Sequence, residues 1–499
     1  MPSLYAIVLG AIVLSLLVVS LTRLRRVKTR ADFLVAGRTL PAFVLIFTLL
    51  SSWIGSGSLL AGAENAYRHG FAALWQAGGG WLGLLLIYFI APRARKFAQF
   101  TIPDLLEARY SQTARVLGVI AILFAYTGIT SYQLIGGGDI LHLVFPAMIT
   151  PQLGAYIMAG FTIVFTAIAG MASVAYMDVV IGLLATITMC VALPFLMHRA
   201  GGWSGVTHTL PATHFQFLGD FTFVQAMELM IPTLLLMLGN QAMYQKFFSA
   251  KSERDARVAV VGWVIGTVIL ETVIVALAVV ASAIFRTGEV SQHPREIIAY
   301  SALHGLPALL GALLMGAVFA KIMSTANNFL FSPATNLIND VFVRYVAPNA
   351  SNKRILLVSR LMVVLLGVWS LIQATQITNV LQQTLYAYTV YSAALTPVIL
   401  AAFYSKRANA AGAVTAIAAG TFITVLWNTA FPDGNVSHWI IRTGLAPHLA
   451  ARLALHDAIF PALLASVLGL VLVSALTAPP AREQVDLFHS APAPEPSAD

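Results

Sequence analysis

The sequence predicts an all-α polytopic membrane protein of about 13 transmembrane helices, organised as two inverted five-helix repeats with broken first helices. Three observations carry that expectation. Of 499 residues, 59% are hydrophobic and 10% charged, with a mean hydropathy of +0.82, whereas soluble chains carry about 25% charge. Apolar runs of roughly 20 residues, enough to cross about 30 Å of hydrocarbon, recur along the whole chain. Two of those runs, five helices apart, contain residues that interrupt a helix in lipid. Together these exclude a soluble enzyme and leave no room for a separate soluble domain. The net charge of +9 does not point to nucleic acid, because the basic residues sit in short loops between apolar runs. Cys190 is the only cysteine, which excludes an internal disulfide and a thiolate metal cluster.

The runs fall approximately at 4–22, 43–67, 72–92, 114–145, 151–170, 175–198, 223–247, 258–285, 306–335, 355–377, 381–404, 409–430 and 456–477. The first has no basic stretch ahead of it and reads as a retained helix, not a cleaved leader. Arg23, Arg25, Arg26, Lys28 and Arg30 follow the first run, and Arg93, Arg95 and Lys96 the third. Lys246, Lys251, Arg254 and Arg257 follow the seventh, Arg344, Lys353 and Arg354 the ninth, Lys406 and Arg407 the eleventh. These are all odd-numbered runs, and the other loops are poorer in Lys and Arg. The N-terminus is therefore expected outside and the C-terminus in the cytoplasm.

Within the second run, Phe43 to Tyr67, the middle reads SSWIGSGS. Glycine costs a helix about 1 kcal/mol relative to alanine, and serine offers the backbone other partners. Backbone groups freed in this way are tolerated in a membrane only where they line a cavity, so the break is a candidate site for an ion or polar solute. A close helix crossing is the structural alternative, since small residues serve that too. Five helices later, the run 223–247 carries Pro232, a Gly239-Asn240 pair and the intramembrane Glu228. The expected organisation is an extra N-terminal helix and basic loop at 1–30, a first repeat at 31–200 and a second at 201–404. Two accessory helices at 405–478 and a disordered tail at 479–499 complete it.

Polar residues inside the runs narrow the function. Asp178 needs a cation, a proton or hydrogen bonds to lie in a membrane, and a structural ion pair near the interface would serve equally. In the ninth run Lys321, Ser324, Thr325 and Asn328 share one helical face, with Asn327 alongside. Hydroxyl, amide and carbonyl oxygens are hard ligands suited to an alkali cation and poor ones for zinc or copper. The alternative is that the hydroxyls merely bond back to their own helix. Glu228 and Lys321 could pair with each other, meet a solute or snorkel; Glu228 therefore joins the cavity candidates. Trp53, at the break, could stack on a solute or simply pack. Tyr132, Gln133, Gln76, Tyr386, Tyr388 and Tyr391 each read individually as satisfied core residues. No phosphate loop, hydrolase elbow or paired-carboxylate signature is present, so no catalytic residues are expected.

Six stretches then give the chain a likeness. ADFLVAGRTLP (Ala31–Pro41), SSWIGSGSLLAGAENAY and FTIPDLLEARY (Phe100–Tyr110) are three of them. SVAYMDVV around Asp178, GNQAMYQKFFSAKSERDAR (Gly239–Arg257) and IMSTANNFLFSPATNLINDVF complete the set. In this order and spacing the chain resembles the sodium:solute symporter family, transporters of the LeuT-like inverted-repeat type. The resemblance implies a main sodium site built from the carbonyls of Ser51, Ile54 and Lys321 and the hydroxyls of Ser324 and Thr325. It implies a possible second sodium site at Asp178, Asn327 and Asn328. The family's solute cavity corresponds to Trp53, Ser56, Ser58, Gln76, Thr233 and Asn240. Only Asn240 matches a typical family residue there, so the solute does not carry over; Trp53 resembles the tryptophan of the choline branch.

The expected function is sodium-coupled uptake of a small polar organic solute by alternating access, with sodium as the coupling ion and the lipid bilayer as the protein's surroundings. The expected location is a bacterial inner membrane. Lys321 stands where the family usually has a small apolar residue. Proton-coupled or uncoupled transport through its ammonium is therefore the alternative, and a transporter-like solute sensor is a more distant one.

Overall fold

The computed structural model of the chain describes residues 2–24, 29–97, 101–287, 289–377, 379–432, 435–437, 440 and 446–489. All thirteen expected spans fall on helical chain. Among the described residues, eleven helices are long and apolar enough to cross a membrane, and Leu4–Val19 and Ala42–Trp53 are shorter apolar helices. Helix α1 is Pro2–Leu24. The first broken span is α2 (Ala42–Trp53), a π-helical turn (Gly57–Gly62) and α3 (Ala63–His69). Then come α4 (Leu74–Phe97), α5 (Ile102–Arg109), α6 (Gln112–Val144) and α7 (Pro151–Arg199). The second broken span is α8 (Phe223–Gly239) and α9 (Gln241–Ser249). It is followed by α10 (Glu253–Ile284), α11 (Ala308–Asn336, wound on as a π-helix to Val346) and α12 (Asn352–Ala374). The remaining spans are α13 (Val380–Ala394) with α14 (Thr396–Tyr404), α15 (Ala410–Ala430) and α16 (Ile459–Leu476).

Both breaks fall where the sequence places them, and a residue with non-helical ψ stands at each. Ile54 has φ −84° and ψ 105°, and Asn240 has φ −59° and ψ 113°. The two broken spans are tied together at one end. Leu40 N donates to Ser249 O at 3.1 Å, and Lys251 N to Leu40 O at 2.9 Å. Helix α11 packs against α7, α6 and α2, and is the most enclosed of the long apolar helices, with 78% of its apolar window buried. Its polar residues therefore face protein, and the lipid-facing load falls on α12, α15 and α16.

Three expectations change. The fifth and sixth spans are two helices joined without a loop, because Gly170 at φ 59° and ψ 176° turns the chain between them, a conformation that only glycine adopts freely. Lys246, expected in a basic loop, is fully buried on α9, so the orientation signal after that span rests on Lys251, Arg254 and Arg257. In the tail expected to be disordered, Arg482–His489 forms a short helix, and Phe488 buries against Phe403 at 5.9 Å between ring centres. Residues 490–499 of that tail, and the basic residues Arg25, Arg26 and Lys28, lie outside the described residues.

Candidate functional site

At the first break the freed backbone groups have two fates. Ser56 N donates to Gln133 Oε1 at 2.7 Å, so one N–H is met from α6. The carbonyls point the other way, toward α11. Thr325 Oγ1 lies 2.8 Å from Ser51 O, 3.0 Å from Ile54 O and 3.0 Å from Lys321 O. A threonine hydroxyl carries one proton. That proton can go to only one of the three carbonyls at a time; Lys321 O also belongs to the α11 ladder, while Ser51 O and Ile54 O lie at the end of α2, where the ladder stops. Four convergent oxygens of this kind make a ligand set for a small hard cation. Gly55 permits the approach, since a Cβ there would sit 2.7 Å from both Gln133 Oε1 and the Thr325 side chain.

Beside this cluster sits a buried charged group. Asp178 accepts from Thr48 Oγ1 at 2.5 Å, from Asn328 Nδ2 at 3.3 Å, and from the Ser324 hydroxyl. Lys321 Nζ donates to Ser51 Oγ at 3.1 Å, and Lys246 Nζ to Asn328 Oδ1 at 2.7 Å. Two ammoniums thus lie near one carboxylate, each reaching Asp178 only through a neighbour, Ser51 or Asn328, and all three charged groups are fully buried. Of the residues expected at a second sodium site, Asp178 and Asn328 meet, but Asn327 turns to α7 and accepts from Thr166 Oγ1 at 3.1 Å. Ser324, expected among the main sodium ligands, is directed to Asp178.

A separate small cavity of about 30 Å³ lies on the other side of the break. Four of the candidates read from sequence, Trp53, Ser58, Gln76 and Thr233, line it together with Glu271, Tyr388, Ile274 and Val275. The other three cavity candidates lie elsewhere. Asn240 is held at the second break by Tyr126 OH at 2.8 Å. Ser56 packs on Gly136 of α6. Glu228 pairs with neither Lys321 nor the cavity: its Oε1 lies 2.8 Å from His456 Nδ1 and 3.3 Å from Asp457 N, in a larger pocket of about 490 Å³.

Glu271 is the residue that sequence reasoning passed over, although a lone carboxylate in the apolar run GTVILETVIV is by itself a functional signal. Its Oε1 accepts from Trp53 Nε1 at 2.8 Å and its Oε2 from Trp81 Nε1 at 2.9 Å. The Tyr388 ring stacks on Trp53, with centroids 6.0 Å apart. Residues 51–54 thus serve both sites: two of their carbonyls face Thr325, and their indole caps Glu271.

Interrupted paired helices, a carbonyl–hydroxyl cluster at one break and an adjacent aromatic cavity define a secondary active transporter. The model of the sodium:solute symporter family matches residues 33–420, and the chain belongs to that family. It is a sodium-coupled solute transporter of the membrane, not an enzyme. Curated relatives include the osmoregulated proline transporter OpuE of Bacillus subtilis, 26% identical over 96% of both chains. Another is the sodium/pantothenate symporter of Escherichia coli, 25% identical over 78% of this chain and 82% of that one. Among solved structures, a substrate-bound outward-open sodium-coupled sialic acid symporter superposes with a TM-score of 0.77 at 17% identity, covering 95% and 98% of the two chains. The nucleobase–cation symporter Mhp1 in a closed conformation gives 0.58 at 11% identity, covering 91% and 97%. At these identities the superpositions speak for the LeuT-type fold.

Proposed function

We propose that one sodium ion binds the carbonyl oxygens of Ser51, Ile54 and Lys321 and the hydroxyl of Thr325, and that it drives uptake of a solute held beside Trp53. The observation that carries this reading is the single Thr325 proton set among three carbonyls. Sodium bridging α2 to α11 favours whichever state keeps those helices together, and an ion shifts that equilibrium only by its differential affinity. When α11 moves away, the ligand set separates and the ion leaves. One charge moving through 100 mV supplies about 2.3 kcal/mol, enough for roughly 50-fold accumulation.

The distribution of Lys251, Arg254, Arg257, Lys406 and Arg407 supports an outside N-terminus and a cytoplasmic C-terminus. The bacterial relatives support an inner-membrane location. With ammoniums of Lys246 and Lys321 near Asp178, and Asn327 engaged elsewhere, the geometry favours one sodium per solute over two. A second reading rests on one contact. Lys321 Nζ bonds the Ser51 hydroxyl, so its ammonium stands beside the oxygens that would receive sodium and could act as a tethered substitute. Proteoliposomes decide between the two. Sodium-stimulated uptake that needs more sodium in Thr325→Ala and is kept in Lys321→Ala supports the sodium site. Loss of sodium sensitivity in wild type, with uptake that follows pH and fails in Lys321→Ala, supports the lysine.

A further inference from the structure

We propose that the solute cavity recognises an organic cation, an ammonium-bearing small molecule whose charge is met by Glu271. This rests on the transport reading above and names the solute class of that same site. Glu271 is 4% exposed, and among the described residues no lysine, arginine or histidine forms an ion pair with it. Its hydrogen bonds come from two indoles, with Ser58 Oγ 3.5 Å away. Neutral donors satisfy lone pairs but leave the charge uncompensated, a costly arrangement inside a membrane unless a mobile cation completes it.

A second observation points the same way. Gln76 is 8% exposed, lines the same cavity, and its Oε1 has no hydrogen-bond partner among the described residues. The cavity therefore offers a carboxylate and an unused amide oxygen, both acceptors. A protonated amine brings donors to both oxygens, whereas a carboxylate-bearing solute would set acceptor against acceptor at Glu271. The rings of Trp53 and Tyr388, which both line the cavity, add aromatic surface of the kind on which ammonium groups bind. Ile274, Val275, Ala73 and Ala77 suit an apolar body.

The free space of about 30 Å³ holds little more than a water, so a solute must displace the Trp53 indole from Glu271 to enter. Exchange of an indole N–H for an ammonium is the recognition event. Because Trp53 lies between Ser51 and Ile54, that exchange acts directly on the segment proposed to hold sodium.

The test uses the purified full-length protein, with choline and putrescine as cations, proline as zwitterion and pantothenate as anion. Thermal stabilisation of the wild type is measured with and without sodium, followed by uptake into proteoliposomes under an inward sodium gradient. The proposal expects stabilisation and uptake with at least one cation. In Glu271→Gln, the cation-over-zwitterion uptake ratio falls by at least about thirtyfold, the smallest loss expected on truncating one partner of a buried charge pair, and Glu271→Asp recovers part of it. Uptake of proline or pantothenate with no response to either cation overturns the proposal and leaves the transport reading standing. Uptake driven by a pH gradient and lost in Glu271→Gln overturns it in favour of a proton site. No sodium stabilisation and no uptake of any of the four overturns both. The wild-type measurements decide the matter even if the variants fail to fold.

Discussion

Thr325 and Ser324 are neighbours with different tasks. The Thr325 hydroxyl faces three carbonyls, and the Ser324 hydroxyl faces Asp178. Thr325→Ala should raise the sodium concentration for half-maximal uptake by roughly tenfold or more, the equivalent of about 1.4 kcal/mol of lost binding. Ser324→Ala should have a smaller effect on that concentration, because it removes a partner of Asp178 and not one of the carbonyl-facing oxygens. Sodium titration of uptake in the two variants separates these outcomes. Gly55→Ala is a sharper probe, since the added methyl would meet Gln133 and Thr325 at 2.7 Å. Overpacking of this kind costs about 1–3 kcal/mol. The melting temperature should fall, and its rise on adding sodium should vanish. The residues that were legible in advance were those with a chemical signature at one locus: the hydroxyl pair, the broken stretch and Asp178. Glu271 and Lys246 were not, although each is a single charged residue in an apolar helix. Lys246 lay next to a true basic loop and was counted with it. Glu271 reveals its role only when Trp53 and Trp81, remote in sequence, arrive at its two oxygens.

The two broken spans look alike in sequence and in backbone, but they are finished differently. At the second break Tyr391 OH donates to Gly239 O at 2.8 Å and accepts from Gln241 N at 3.0 Å. Tyr126 OH donates to Asn240 Oδ1 at 2.8 Å and accepts from Ala242 N at 3.3 Å. Two phenols therefore close the second break, while the first leaves its carbonyls to a single hydroxyl. Tyr391→Phe or Tyr126→Phe should each destabilise the fold by about 1–3 kcal/mol, the cost of a buried backbone group left unmet. Neither should alter the sodium concentration dependence, which a melting curve and a sodium titration together would verify. Sequence periodicity identified both spans and both breaks, but it could not say which was plugged, because the plugs lie on α6 and α13. Arg115 of α6 pairs with Asp104 and Glu107 of α5 and with Asp340 at the end of α11. It thereby ties the helix bearing Thr325 to its neighbours at the proposed cytoplasmic end. Arg115→Gln leaves those carboxylates without their shared cation, a loss of about 3–5 kcal/mol. Thiol labelling of cysteines introduced along that end of α11 should accelerate in this variant, reporting easier opening.

For the molecule as a whole, composition and the count of apolar runs were sufficient for the fold class, because lipid permits so few spanning structures. The solute was not legible, because the cavity is assembled from α2, α4, α8, α10 and α13, and only Trp53 and Ser58 among its polar groups share a stretch. Segment 51–54 has a thermodynamic consequence. A four-residue stretch that ligates one guest through its backbone and covers the other's pocket with its indole cannot be rearranged by either alone. Binding linkage is reciprocal: the factor by which saturating sodium tightens the solute must equal the factor by which saturating solute tightens sodium. Calorimetric titrations run in both orders should return one number. Replacing Trp53 by Phe, which cannot donate to Glu271, should draw that number toward unity.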